Sequence, residues 1–456
     1  MNLTAAFCQN LRGISRESLD ASAIAAARRL VLDGIAVAAA GSREDAPHIL
    51  GDYLRDLGGN PQATAIGGGF QTSVVGAAYL NGAAMHVLDY EPMWNPATHA
   101  LSTTLPAILA LAEKHAVNGA AIIAALVAGV EAQGRLRVAS RQYEAGAFSF
   151  HPPGMVGVIG SAVASSNLLA LSQDQMCNAI GIAASRSGTL LANAGTMTKC
   201  THCGMAAAMG LESALLAARG FTANPDVIAA PHGYAQAFFG PDYDEAALTR
   251  TDAPLRMVEP GYATKMFPSQ YATHFAITAA LEARRRIPSA ASIRTVEIVA
   301  PVMQYVDRPY PATGLEGKFS FQYTAACALL YGAVRINTFT DEHCHRHEIV
   351  ALLSRTHLRQ TKEIPAALDR MWVEITVELA GDERIVARCA RPHGAWGEPI
   401  PRDEYLVKAR DCLGRLLDPH ATETIIDRSD CFERLGSEEI RELMRTLGSF
   451  DTCPQA

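Results

Sequence analysis

The sequence predicts a mainly α fold, with a large all-helical domain and an inserted α+β domain. Three observations support this prediction. The 456-residue chain is 49% hydrophobic and only 19% charged, with alanine in repeated short runs, and alanine is the best helix former. Apolar residues recur at helical spacing up to about residue 260 and again after residue 403. Between these two regions they alternate as they do in strands.

The N-terminal helices are predicted from apolar spacing and from end signals. The first clear helix places four apolar residues on one face: Ile24, Ala27, Val31 and Ile35. Its possible N-caps are Ser18, Asp20 and Ser22, and Gly41 is a stop signal. Similar spacing predicts helices over 103–116, 131–140, 172–184 and 206–219.

The α+β region is predicted from alternating residues. Val296 and Ile298 flank Glu297, and a cleaner alternation runs over 373–379. A Gly-Asp turn at 381–382 then leads into a partner strand over 384–390, which predicts a hairpin. We therefore expect the helical domain to comprise residues 1–262 and 396–456, and the α+β domain to comprise residues 263–395.

Charge and composition exclude several classes of protein. With 39 Lys+Arg against 46 Asp+Glu, the net charge of −7 argues against a nucleic-acid partner. The longest apolar stretch, 119–130, is too short to span a membrane, and we interpret it as a buried core helix. No secretory signal is evident at residues 1–13. The ten cysteines are irregularly spaced in a long chain, which is typical of reduced thiols. We expect a cytoplasmic protein with no membrane partner.

Common cofactor and metal motifs are missing from the sequence. It contains no P-loop, dinucleotide-binding fingerprint, Gly-x-Ser-x-Gly elbow or HExxH motif. Cys200 and Cys203 form a lone Cys-x-x-Cys, whereas a structural zinc site normally needs a second pair. His343 and His347 are one helical turn apart but have no evident partner ligand, so we interpret them as a solvated helix face. No metal site is predicted.

Four other segments combine histidines, lysines, acids and prolines in patterns that suggest function. They are the loop 86–99, the His-Pro-Pro turn at 151–153, the Thr-Lys…His segment at 198–202, and the Lys-x-Phe-Pro…Thr-His run at 265–274. Each segment alone is explained equally well by a cap, a turn or a surface charge. Loops held on a rigid helical scaffold are nevertheless the usual location of binding and catalytic residues.

In their order and spacing, these segments resemble the MmgE/PrpD superfamily, which includes 2-methylcitrate dehydratase, cis-aconitate decarboxylase and iminodisuccinate epimerase. The likeness runs nearly end to end and includes Pro-Ala-Thr-His at 96–99 and Lys-Phe-Ser at 318–320. The resemblance implies a homodimer whose α+β domain is a lid on the helical domain, with the site in the cleft between them. It also implies no organic cofactor and a small anionic polycarboxylate substrate.

The resemblance also assigns the site residues. Asp89, His99, His151, Lys199 and Lys265 match positions associated with the active site of the decarboxylase branch. Lysines suit a substrate with several carboxylates, and a buried lysine is more readily deprotonated. Histidines titrate near neutrality and exchange protons. The predicted catalytic residues are Asp89, His99, Tyr143, His151 and Lys199, and the predicted substrate-binding residues are Thr98, His202, Lys265, Gln270 and Lys318.

Three departures from the decarboxylase branch guide the prediction of the reaction. Met93 replaces a threonine, and Asn95 and Gln270 replace histidines. Because a glutamine cannot shuttle protons, these changes favour epimerisation of an iminodisuccinate-like substrate, with Lys199 as one base and Tyr143 or His151 opposite. The alternatives are a lyase of the decarboxylase or dehydratase type, and a catalytically silent polycarboxylate-binding protein.

Overall fold

The computed structural model describes residues 2–143 and 149–448. The last residues of the predicted segment 396–456, including Cys453, lie outside the described residues. The fold is mainly α, and 57% of it is helical. The helices before residue 260 are α1 (Leu3–Arg12), α2 (Ala21–Gly41), α3 (Asp45–Leu57), α4 (Val74–Val87), α5 (Ala100–His115), α6 (Gly119–Ala139), α7 (Pro152–Leu168), α8 (Gln173–Ala184), α9 (Thr198–Ala217), α10 (Tyr234–Phe238) and α11 (Glu245–Thr249).

Small residues allow these helices to approach closely. In α2, Asp20 caps the N-terminus by accepting a hydrogen bond from the Ala23 N–H, and the helix ends at Gly41 as predicted. A Cβ atom on Gly41 would lie 1.9 Å from the carbonyl oxygen of Ala84 in α4, so only glycine fits at this crossing. The alanine and glycine content therefore reflects close helix packing.

The bounds of two predicted helices differ from the structure. The buried helix predicted over 119–130 is confirmed, but it is continuous with the helix predicted over 131–140, and together they form α6. It is long and apolar enough to cross a membrane, but 89% of its most apolar window is buried inside the fold. Helix α9 begins at Thr198 rather than at residue 206 and so includes Lys199 in its first turn.

The remaining helices and the strands have the following bounds. The helices are α12 (Tyr271–Arg286), α13 (Gly314–Gly317), α14 (Phe321–Tyr331), α15 (Asp341–Cys344), α16 (His347–Leu353), α17 (Arg402–Leu413), α18 (Pro419–Asp430) and α19 (Ser437–Gly448), and the strands are β1 (Ala63–Thr64), β2 (Gln71–Thr72), β3 (Ile293–Pro301), β4 (Thr356–Thr361), β5 (Val373–Leu379) and β6 (Arg384–Cys389). His343 and His347 fall in two separate helices, α15 and α16, so the single helix face predicted for them was wrong.

The larger sheet has the order β4-β3-β5-β6. The predicted hairpin is confirmed as β5 and β6, which are antiparallel, and both residues of its turn, Gly381 and Asp382, have positive φ. Strand β4 runs parallel to β3 at the edge of the sheet. It was not predicted because its polar residues at an edge lack the apolar alternation of a central strand.

Two hydrophobic cores organise the fold. The first contains residues from α1, α2 and α4 through α11, together with residues from α17, α18 and α19. The second is formed mainly by residues between 263 and 389, on the sheet and the helices packed against it. The C-terminal helices therefore complete the helical core, while the α+β segment has a core of its own. That this segment acts as a lid stays a prediction.

Candidate active site

The loop between α4 and α5 forms the base of the candidate site. Asp89 in this loop adopts a left-handed conformation with φ of 50°, which is uncommon for a residue other than glycine. The C-terminal helix α17 supports the loop, because Lys408 donates to the Tyr90 carbonyl (2.9 Å) and to both carboxylate oxygens of Asp33. The buried Lys408–Asp33 pair thus positions the backbone next to Asp89.

Asp89 is held between two lysine ammonium groups. Lys199 Nζ donates to Asp89 Oδ2 at 2.7 Å, and Lys265 Nζ donates to Asp89 Oδ1 and to the Asp89 carbonyl. Burial alone would raise the pKa of Asp89, but Lys199 and Lys265 outweigh it and hold that pKa well below its usual range. Lys265 also donates to the Ser269 carbonyl, so its three donor positions are occupied. We infer that Lys265 positions Asp89.

Lys199 is linked to a buried carboxylate through a histidine. Its Nζ lies 2.8 Å from His86 Nε2, and His86 Nδ1 lies 2.5 Å from Glu91 Oε1. Because an ammonium group only donates, His86 accepts at Nε2 and carries its proton on Nδ1, which donates to Glu91. Burial lowers the pKa of His86 to about 3, which agrees with a neutral ring. The chain Glu91–His86–Lys199 therefore fixes the lysine side chain.

His99 lies between two carboxylates. Its Nδ1 is 3.1 Å from Glu91 Oε1, and its Nε2 is 3.8 Å from Asp89 Oδ1. Burial would raise the pKa of Glu91, but His86 and His99 hold it well below its usual value. The hydroxyl of the neighbouring Thr98 is buried and has no hydrogen-bond partner within the residues that the structure describes.

His151 and His202 form a neutral pair. Their Nδ1 atoms are 3.1 Å apart, so one ring donates and the other accepts. Burial, with the charge of Lys199, lowers the pKa of His202 to about 4 and holds the pKa of His151 well below its usual value. With Nδ1 engaged, His151 is left with Nε2 for contacts to a bound molecule.

Two cavities meet at Lys199. The smaller, of about 70 Å³, is lined by Asp89, His99, His151, Lys199 and Gln270, with apolar walls that include Met93. The larger, of about 370 Å³, shares Asp89 and Lys199 with the smaller one and is also lined by Lys318. Ligand sites usually enclose roughly 300–1,000 Å³, so the smaller cavity alone is undersized for a polycarboxylate.

Gln270 orients a tyrosine at the smaller cavity. The Ala272 N–H donates to Gln270 Oε1, so the amide of Gln270 is turned to donate from Nε2 to the Tyr305 hydroxyl oxygen at 2.8 Å. The Tyr305 proton must therefore point away from Gln270. Burial raises the pKa of Tyr305, which keeps the hydroxyl protonated, and Tyr305 lines the cavity. By donating to the Tyr305 oxygen, Gln270 thus leaves the Tyr305 hydroxyl proton free to donate to another group.

Two residues singled out from the sequence lie away from this cluster. Tyr143 is 40% exposed and lines a different cavity, together with Asn95. The structure therefore does not place Tyr143 opposite Lys199 as the sequence prediction requires. Because Asn95 is also outside the cluster, the absence of a histidine there removes no group from the cavities at Lys199.

A metal ion would compete with Lys199 at this site. Ligand atoms of His86, His99 and His151 all lie within 4.8 Å of one another. However, His86 Nε2 accepts from Lys199 and His86 Nδ1 contacts Glu91. A cation bound by the three histidines would have to displace the ammonium group of Lys199, so the arrangement fits a metal poorly.

Comparison with known proteins gives the family of the chain. Residues 5–246 match the MmgE/PrpD N-terminal domain, and residues 267–434 match the MmgE/PrpD C-terminal domain. The chain belongs to the MmgE/PrpD family. It is 30% identical to cis-aconitate decarboxylase of Mus musculus over 459 aligned residues, which span 98% of this chain and 93% of the relative.

Other relatives carry the same description. Cis-aconitate decarboxylase of Homo sapiens is 29% identical, with 94% of this chain and 93% of the relative covered. Cis-aconitate decarboxylase of Aspergillus terreus is 24% identical, with 99% and 96% covered. These MmgE/PrpD relatives are lyases by name, so the prediction of an iminodisuccinate epimerase was wrong. It gave too much weight to Asn95 and Gln270, whose surroundings the sequence does not reveal.

Sequence reasoning missed three functional residues. His86 and Glu91 stand in the segment it singled out, five residues apart, but only the end of α4 brings the ring of one onto the carboxylate of the other. Tyr305 is about 35 residues from its partner Gln270 and has no motif of its own. A contact between residues this far apart in the sequence leaves no local signal.

The neutral histidines make stability dependent on pH. Because the folded-state pKa of His202 is about 4, below the unfolded value of roughly 6.5, the unfolded chain takes up a proton first as the pH falls. We expect the thermal midpoint to fall from pH 6.5 toward pH 4, and His202→Gln to flatten this slope. His420→Gln, at an exposed histidine, should keep the wild-type slope. Equal slopes in all three proteins would contradict a neutral His202.

Proposed function

We propose that the protein is a lyase that releases CO₂ from a small unsaturated polycarboxylate of the cis-aconitate class. The observation that carries the proposal is the nearly full-length similarity to cis-aconitate decarboxylases. The cluster of Asp89, His99, His151 and Lys199 around one cavity supports it independently. These residues suit an anionic substrate and the transfer of a proton.

The reaction sets three requirements for the site. When a carboxylate leaves as CO₂ from a saturated carbon next to a C=C bond, the C–C bond breaks and its electron pair stays on the allylic carbons. A second carboxylate at the far end of this allylic system takes up part of that charge. One proton must then be added to carbon. The site has to bind carboxylates, stabilise the developing charge, and deliver that proton.

Lys199 is the group best suited to deliver the proton. Two of its three N–H bonds are directed to Asp89 and His86, which leaves one for the substrate. It lines both cavities, so solvent in the larger cavity can restore its proton. The Glu91–His86 pair holds the ammonium group in place during the reaction.

The other polar groups of the smaller cavity provide donors to the carboxylates. The Thr98 hydroxyl has no partner within the described part of the chain, and the Tyr305 proton points away from Gln270. His151 contributes Nε2. Preorganised donors of this type stabilise developing negative charge most strongly in a cavity that excludes water. Met93 adds only apolar wall to this cavity.

The proposal is tested by identifying the product in D₂O. Purified protein is incubated with cis-aconitate and followed by NMR and mass spectrometry. We expect a product that has lost one carboxylate and gained one deuterium on carbon. The exposed-lysine variant Lys362→Met should give the same product at the same rate. A product that keeps all its carbons, whether through addition of water or through hydrogen exchange alone, would contradict the proposal.

A further inference from the structure

Lys318 is a buried lysine whose backbone is fixed between two elements. It follows α13, where its N–H donates to the Gly314 carbonyl, and its own carbonyl accepts from the Gln270 N–H at 3.0 Å. The residue is only 3% exposed. The second of these contacts ties Lys318 to the segment that carries Gln270, one of the residues lining the smaller cavity.

The ammonium group of Lys318 has no hydrogen bond or ion pair with any residue in 2–143 or 149–448, and it lies 5.8 Å from the centre of the Phe339 ring. In contrast, the buried Lys199, Lys265 and Lys408 each contact an aspartate. Burial lowers the pKa of Lys318, with partial compensation from Glu44. A buried cation without a partner destabilises a fold. We therefore expect an anion from solution to bind next to the ammonium group of Lys318.

The surroundings of Lys318 suit such an anion. Lys318 lines the cavity of about 370 Å³, at the buried end that also contains Lys199. Besides Asp89, three acidic residues line this cavity: Asp45 and Asp341 are exposed, and Glu44 is half-buried and forms no ion pair with Lys318. Asp341 is further engaged by the Gly314 N–H at 2.8 Å. The interior therefore offers two lysines, one of them without a carboxylate partner.

We propose that Lys318 binds a second carboxylate of the substrate, and that the substrate extends from the smaller cavity past Lys199 into the larger one. This inference rests on the proposed function and specifies its substrate class as a tricarboxylate. The smaller cavity, at about 70 Å³, holds the reacting end, and the larger cavity holds the distal carboxylate. Lys199 then lies at the middle of the bound molecule.

The test compares binding of two unreactive acids by calorimetry: propane-1,2,3-tricarboxylate, and propane-1,2-dicarboxylate, which lacks one terminal carboxylate. Lys318→Met keeps the aliphatic stem and removes the charge. Because a hydrogen bond to a charged group contributes strongly, we expect this variant to bind the tricarboxylate roughly 10- to 100-fold more weakly. It should also lose the wild-type preference for the tricarboxylate over the dicarboxylate. Lys362→Met should retain both.

The thermal midpoint of the ligand-free protein distinguishes a binding role of Lys318 from a structural role. Since the unpaired ammonium group costs free energy in the absence of ligand, we expect ligand-free Lys318→Met to have a thermal midpoint equal to or above that of the wild type. A fall in the midpoint together with unchanged tricarboxylate affinity would assign Lys318 to structure and overturn the proposal.

Inorganic phosphate distinguishes a substrate subsite from a separate anion site. We expect phosphate to compete with the tricarboxylate in the wild type and to have little effect in Lys318→Met. Phosphate binding that depends on Lys318 but leaves the tricarboxylate affinity unchanged would overturn the proposal. The binding test does not require turnover, because both acids are unreactive. If the tricarboxylate binds in a Lys318-dependent way but cis-aconitate releases no CO₂, the proposed function is contradicted and the role of Lys318 in binding is not.

Discussion

Replacing Lys199 with methionine is expected to lower kcat by about 10²- to 10⁴-fold, the usual contribution of a general acid or base. Methionine fills a similar volume but cannot donate a proton to the allylic carbon. The fold should persist, because Asp89 keeps its bonds to Lys265. The measurement is the initial rate of CO₂ release from cis-aconitate, with the thermal midpoint recorded for the same samples.

Lys199→Arg separates proton delivery from charge. Arginine keeps the positive charge, but its guanidinium group does not deprotonate in proteins. We expect KM to stay within about threefold of the wild-type value, since charge complementarity is kept, while kcat falls nearly as far as in Lys199→Met. A wild-type kcat in Lys199→Arg would show that Lys199 contributes charge alone, and Tyr305 would then be the better candidate for the proton donor. The exposed Lys362→Met variant serves as the control for both substitutions.

Replacing Asp89 with asparagine is expected to cause the largest loss of stability among single changes at the site. The carboxylate pairs with both Lys199 and Lys265, and all three side chains are buried. Removing one partner of a buried ion pair typically costs about 3–5 kcal/mol, because the remaining charge is left unpaired. We expect a clear fall in the thermal midpoint and loss of CO₂ release, since Lys199 loses one of the two groups that orient it.

A double variant shows whether the loss arises from unpaired charge. Adding Lys265→Met to Asp89→Asn removes one of the two unpaired ammonium groups. We expect this to recover part of the thermal midpoint without restoring activity. If Asp89→Asn alone is as stable as the wild type, at least one of the two lysines is neutral in the folded protein and the charge assignment is wrong.

The sequence predicts the secondary structure where the pattern has one clear period. Strand β5 alternates strictly and is joined to β6 by a Gly-Asp turn, and the N-terminal half of α2 has a one-sided apolar face and a capping aspartate. The apolar stretch 119–130 was correctly interpreted as a buried helix, but its continuity with 131–140 was missed because a helix buried all round has no amphipathic pattern. Strand β4 was missed because an edge strand does not need an apolar alternation.

The candidate site could be predicted only in part, because a motif names residues but not their contacts. Asp89, His99, His151 and Lys199 do lie together around one cavity. Lys265 was predicted to bind substrate, but it is turned toward Asp89 and Ser269. Such differences depend on side-chain direction between distant segments. The predicted homodimer and cytoplasmic location stay predictions.

The central claim is that the protein breaks a carbon–carbon bond and that Lys199 delivers the proton. The most direct test is the ratio of CO₂ released to deuterium incorporated when the protein acts on cis-aconitate in D₂O. The account predicts one CO₂ for each deuterium on product carbon, with both lost together in Lys199→Met. Incorporation of deuterium without CO₂, or CO₂ release that is unaffected in Lys199→Met, would contradict it.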